Sequence, residues 1–178
     1  MTRRTGSTLP AHPLVDQLRF TRSEFMRAIR GVSAEDALKR ILPMNCLSWN
    51  VGHLAWQEQR YFLQFGQGTT PFPDIAKEFA FGAPASTPSL DRVVKAWKVI
   101  TKAADPWLEE LTSDVLGARA ASKGKDLAYT HGNLLQRVIY HYWYHIGENM
   151  SIRQQLGHGS LPQFVGNLDD AAPYRPDR

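Results

Sequence analysis

The sequence predicts an all-α fold: one four-helix bundle with irregular N- and C-terminal segments. Three observations predict it. Four stretches of about 16 to 26 residues repeat apolar side chains at helical spacing, no alternating strand pattern runs longer than a few positions, and Pro and Gly fall between the periodic stretches. With 178 residues, 43% of them hydrophobic, the chain has enough apolar surface for a single self-sufficient core.

Residues 1–13 mix Thr, Gly, Ser, Pro and Arg without period and are expected to form a flexible arm. The bundle occupies residues 14–158, and its first helix covers 14–30. Leu14, Leu18, Phe25 and Ile29 make its stripe, and Gly31 can end it in a left-handed conformation. Ser33-Ala34-Glu35-Asp36 reads as the cap of a short connecting turn or helix. The second helix spans 45–65, between Pro43 and Gly66, with Leu47, Val51, Leu54, Tyr61, Phe62 and Phe65 facing inward. Residues 66–88, rich in Gly, Pro and Thr, are expected to form a loop that covers something. The third helix should start with Thr87 as cap and Pro88 at the first helical position, where a missing N–H costs nothing, and run to about 111. An irregular connection, 112–129, leads to the last helix, from Thr130 or Asn133 to Leu156, where Gly157 stops it. Residues 159–178, with Pro162, Pro173 and Pro176, form an irregular tail.

Composition excludes several classes of function. The net charge of +4 and pI near 9.3 invite a nucleic-acid reading. The densest basic region, from Arg3 to Arg30, is however interleaved with Asp16, Glu24, Glu35 and Asp36 and carries no nucleic-acid motif, so a solvated face is expected and no nucleic-acid partner. No apolar run approaches the roughly 20 residues of a spanning helix, and no basic amphipathic helix suits a bilayer surface, so no membrane partner is expected either. The single cysteine, Cys46, cannot form an intramolecular bridge, and no apolar signal segment follows Arg3-Arg4; a cytoplasmic location is expected.

The stretch HYWYHIGE poses the functional question. On the last helix Leu134, Val138, His141, His145, Glu148 and Ile152 follow one another at steps of four, three, four, three and four, so the two imidazoles lie on the seam that the apolar residues define. A four-residue step is a rise of about 6 Å with a rotation of only about 40°, which lets both rings converge on one ion. Burying two imidazoles side by side needs a common partner, and a metal ion supplies one. The HExxH zinc-peptidase signature is absent, because Tyr142 stands where that motif has its Glu. A third donor must come from elsewhere. His12 and His158 lie outside the helices, and His131 is about 15 Å from His141 along the axis. His53, in WNVGHLAWQEQ, is the histidine that a second helix can bring opposite the pair, and Gly52 beside it permits close approach.

Three neutral imidazoles leave coordination positions open, as in catalytic sites. They suit zinc, nickel, copper or iron, with zinc or nickel the expected ion. Glu148 could be a fourth ligand, an outer acceptor that orients an imidazole N–H, or a proton acceptor; the outer acceptor is preferred. Tyr140, Tyr142, Trp143 and Tyr144 are expected to pack in the core or an interface. Cys46, seven residues from His53, is expected to be a buried, inert thiol.

Two segments, LSWNVGHLAWQEQRYF and LLQRVIYHYWYHIGENMSIRQQLGH, resemble the DinB-like (DinB/YfiT) superfamily of metal-binding four-helix bundles. The resemblance implies a metal triad of one histidine on the second helix and an HxxxH pair on the fourth, which falls on His53, His141 and His145. It further implies a metal-dependent transferase that uses a low-molecular-weight thiol, such as bacillithiol or mycothiol, on an electrophilic small-molecule substrate, and a homodimer. A non-catalytic, stress-associated metal- or ligand-binding bundle is the alternative.

Overall fold

The computed structural model describes residues 10–176. Of the expected flexible arm, residues 1–9 lie outside that range. Four long helices make the bundle. Helix α1 (Pro13–Ala28) has Pro13 at its first position and is capped by His12, whose Nδ1 accepts from the Leu14 N–H at 3.1 Å. His12, expected in the arm, is thus part of the helix start. The helix ends two residues before the expected boundary, and Gly31 adopts φ +76°, the left-handed conformation anticipated for it. A single 3₁₀ turn (Asp36–Leu38) follows, its start held by Ser33 Oγ accepting from the Asp36 N–H at 3.0 Å.

Helix α2 (Leu47–Glu58) continues without a break into a π-helical stretch (Gln59–Phe65). The expected loop at 66–88 contains a five-residue helix, α3 (Ile75–Phe79). Helix α4 (Leu90–Glu109) begins after Ser89, not with Thr87 and Pro88; those two residues precede the helix, and Ser89, with φ −54° and ψ 129°, stands at its N-cap. The short α5 (Ser113–Gly117) and a hairpin of β1 (Arg119–Ser122) and β2 (Lys125–Thr130) replace the irregular connection expected at 112–129. Ser122 pairs with Lys125 across a two-residue turn in which Lys123 and Gly124 have φ of 50° and 74°, the turn whose twist matches paired strands. Helix α6 (His131–Gln155) is capped by Thr130, whose hydroxyl accepts from the Asn133 N–H at 3.1 Å.

Helix α1 packs on α6, α2 packs on α4, and α2 meets α6 across the interior. Phe25, Leu54, Phe62, Ile100, Leu135 and Ile152 are among the side chains that fill the core, each almost fully removed from solvent. At its centre lies a polar network. Glu58 receives the Arg22 guanidinium and, at 2.6 Å, the Tyr142 hydroxyl; that hydroxyl accepts from Trp97 Nε1 at 2.5 Å, and Arg22 also reaches Asp105 at 2.9 Å. Burial, with the Glu58 carboxylate beside it, pushes the Tyr142 phenol well above its ordinary range, so the hydroxyl stays protonated and donates. Buried charges contribute little net stability, but removing one partner is costly. The network joins α1, α2, α4 and α6, and it fixes the register in which Gln57, next to Glu58, faces His141, next to Tyr142.

The tail carries one short helix, α7 (Leu168–Ala171), and is tied along α1: Gln17 Nε2 donates to Ala172 O at 2.7 Å, Arg27 to Gln163 O at 2.6 Å, and the Gly166 N–H to Glu24 at 3.0 Å. No helix among the described residues is long and apolar enough to cross a membrane.

Candidate metal centre

The α2–α6 contact brings His53, His141 and His145 together, with one nitrogen of each within 4.8 Å of the others. Each ring is anchored through its Nδ1. His53 Nδ1 lies 2.6 Å from the Phe79 carbonyl oxygen, His141 Nδ1 2.9 Å from Gln57 Oε1, and His145 Nδ1 2.7 Å from Glu148 Oε2. A carbonyl and a carboxylate oxygen can only accept, so Nδ1 is the donor in these contacts and carries the proton. In a neutral ring the other nitrogen, Nε2, then holds a lone pair.

Burial lowers His53 to a pKa of about 4, and burial together with the neighbouring imidazoles lowers His141 to about 3, so both are neutral at physiological pH. Their lone pairs face inward, and His141 Nε2 stands 3.1 Å from His145 Nε2. One cation between the two nitrogens would be bound by both. A tetrahedral zinc ion with Zn–N of about 2.0–2.1 Å spaces its nitrogens about 3.3 Å apart, close to this separation. The donor set fits a borderline-soft divalent ion.

Local structure explains the convergence. His53 is stacked between Trp49, at 4.8 Å between ring centroids, and Trp56, at 5.3 Å, its neighbours on one helix face. Gly52 does allow close approach, but to the loop and not to another long helix: the Phe79 ring of α3 sits where a Cβ would be, 2.6 Å from it. This contact delivers the Phe79 carbonyl to His53. Glu148 is outside the nitrogen cluster. Its Oε2 accepts from both His145 and, at 2.9 Å, Asn50 Nδ2, which also donates to Asn149 Oδ1 at 2.8 Å. Sequence reading missed Gln57 and Asn50, four residues after and three before His53 and thus on its face, as well as the Phe79 carbonyl, a backbone group with no side-chain signature.

The remaining residues singled out fall elsewhere. His131 meets the Trp107 ring edge-on, and His158 accepts from Arg153 Nε at 3.1 Å. Cys46 is buried, its thiol 3.3 Å from Ser48 Oγ and 3.4 Å from Ser86 O. Of the four aromatics, Tyr142 is core and Trp143 packs against Phe20 and Phe164, but Tyr140 and Tyr144 are largely exposed. These two line a cleft of about 670 Å³ whose floor includes His53 and His141.

The sequence profile of the DinB superfamily matches residues 17–149, three quarters of the chain, and so takes in all three histidines. The chain belongs to the DinB superfamily. Comparison with curated proteins gave no match. Membership in the DinB superfamily accords with the helical bundle and with a candidate three-histidine metal site, placed on its second and last long helices.

Proposed function

We propose that this DinB-family chain is a metal-dependent transferase that activates a low-molecular-weight thiol for attack on an electrophilic small molecule. One observation carries the reading: three Nε2 atoms converge with their Nδ1 partners already satisfied, and two of the rings open onto a cleft large enough for small reactants. A divalent ion bound there, zinc or nickel by the donor set, supplies Lewis acidity that lowers a thiol's pKa and makes thiolate available at neutral pH.

The chain's own residues do the rest. Gln57, Phe79 and Glu148 hold the three rings in one tautomer and orientation, so no reorganisation of the ligands accompanies the reaction. Trp56, Tyr61, Tyr140 and Tyr144 form an aromatic wall that excludes water from one side of a bound reactant.

Zinc- and nickel-loaded protein, incubated with glutathione, mycothiol or bacillithiol and an electrophile such as monochlorobimane or a haloaromatic, tests the proposal. Thiol consumption above the uncatalysed rate, lost in His141→Ala, is expected. No turnover with any of the three thiols at full metal occupancy would contradict it and favour a non-catalytic metal-binding bundle.

A further inference from the structure

The cleft above the histidines has an unusual charge arrangement. Two arginines line it, Arg60 just beyond α2 and Arg137 on α6, and among the described residues no aspartate or glutamate does. Other arginines have polar partners: Arg19, Arg22, Arg27, Arg92 and Arg175 each meet a carboxylate, and Arg119 and Arg153 donate to backbone carbonyls. Among the described residues no carboxylate reaches Arg60 or Arg137. Aromatic faces hold them instead. The Arg60 guanidinium lies 5.7 Å from the Trp56 ring centroid and 5.5 Å from that of Phe65, and Arg137 lies 5.2 Å from that of Tyr129. Stacking of this kind orients the planar fork and leaves its N–H donors free.

Position reinforces the point. Arg137 stands four residues before His141, and Arg60 seven after His53, so each projects from a histidine-bearing face one or two turns away. Arg60 is the second residue of the π-helical stretch, a local widening that recurs at functional sites. Two guanidinium groups beside a divalent cation, with no balancing acid in the walls, make a field that draws and retains an anion.

We propose that Arg60 and Arg137 form a carboxylate-binding subsite, so that the cleft takes a small organic acid whose carboxylate is gripped by the arginine pair while its reacting atom lies toward the histidines. This rests on the reading that the cleft is the reactant site, and it deepens that reading by naming the substrate class. The carboxylate belongs either to the thiol or to the electrophile, and the two sources can be tried separately.

Titration of zinc-loaded protein by calorimetry, with unreactive or thiol-free pairs in which the carboxylate is replaced by a neutral group, tests the subsite without requiring turnover. For the electrophile, 4-chloro-3-nitrobenzoate is compared with 4-chloro-3-nitrobenzamide. For the thiol, S-methylglutathione is compared with its diethyl ester. In one pair or the other, the acid should bind about tenfold or more tightly than its neutral partner, as a charge-assisted contact requires. Arg60→Gln and Arg137→Gln should each remove most of that preference while zinc content and binding of the neutral probe stay unchanged. Equal binding of acid and neutral forms in both pairs, a preference that survives both substitutions, or tighter binding of inorganic phosphate than of either acid would overturn the proposal. Arginine-dependent carboxylate binding without thiol turnover would leave the subsite standing and remove the transferase reading; turnover without carboxylate preference would do the reverse.

Discussion

Glutamine in place of Glu148 keeps the size and one acceptor oxygen but removes the charge that faces His145. In the folded chain Glu148 Oε2 accepts from His145 Nδ1 at 2.7 Å and from Asn50 Nδ2 at 2.9 Å. A hydrogen bond to a charged group contributes about 1.5–3 kcal/mol against about 0.5–1.5 for a neutral one, so Glu148→Gln should weaken zinc binding by about 1–1.5 kcal/mol, roughly 5- to 12-fold. Glu148→Ala removes the acceptor altogether and should fall in the range of about 10- to 100-fold that loss of an outer acceptor typically produces. Gln57→Ala, which frees the His141 ring in the same way but removes a neutral partner, should rank between wild type and Glu148→Ala. Competition for zinc against a chromophoric chelator at fixed pH measures all three, with circular dichroism of the metal-free proteins to show that the bundle is intact. Zinc affinity of Glu148→Ala within twofold of wild type would refute the idea that Nδ1 anchoring sets the strength of the site.

Other consequences follow from the same contacts. His53 and His141 are held at about 4 and about 3, below the ordinary value of 6.5, so between roughly pH 4 and 6.5 the unfolded chain binds protons that the folded chain does not. Stability of the metal-free protein should therefore fall as pH drops through that window, and the urea midpoint should depend less on pH in His141→Gln; an unchanged slope would contradict this. Gly52→Ala places a Cβ 2.6 Å from the Phe79 ring, and displacement of that ring should cost about 1–3 kcal/mol by chemical denaturation and also weaken zinc binding, because the Phe79 carbonyl moves with it. Tyr142→Phe leaves Trp97 Nε1 without its acceptor and Glu58 without one donor, and should lower stability by about 1–3 kcal/mol with zinc affinity little changed.

What was legible in the sequence was periodic. The seam through Val138, His141, His145 and Ile152 put two imidazoles on an otherwise apolar face, and side chains three or four apart on a helix must be neighbours whatever packs against them. His53 could be selected because the other histidines lay too far along the axis or beyond the helices. Gly52 signalled a close approach, but a glycine does not say what approaches, and the neighbour proved to be Phe79 from a five-residue helix inside the expected loop. The hairpin at 119–130 escaped notice because its strands are short and mostly exposed, so their side chains show no two-residue alternation of apolar and polar. Its one local signal is the Lys123-Gly124 pair. Nothing in the sequence pattern sets Arg60 and Arg137 apart from other arginines. What distinguishes them is that both line the cleft beside His53 and His141 with no carboxylate partner among the described residues, a property of three-dimensional arrangement that no spacing along the chain encodes.

The central claim is that three imidazole Nε2 atoms hold one divalent ion. Anomalous diffraction at the zinc edge, from crystals of protein loaded with one equivalent of zinc, tests it most directly. A single strong peak about 2.0–2.1 Å from Nε2 of His53, His141 and His145 is the predicted result. A peak elsewhere, or none near the three rings, would contradict it.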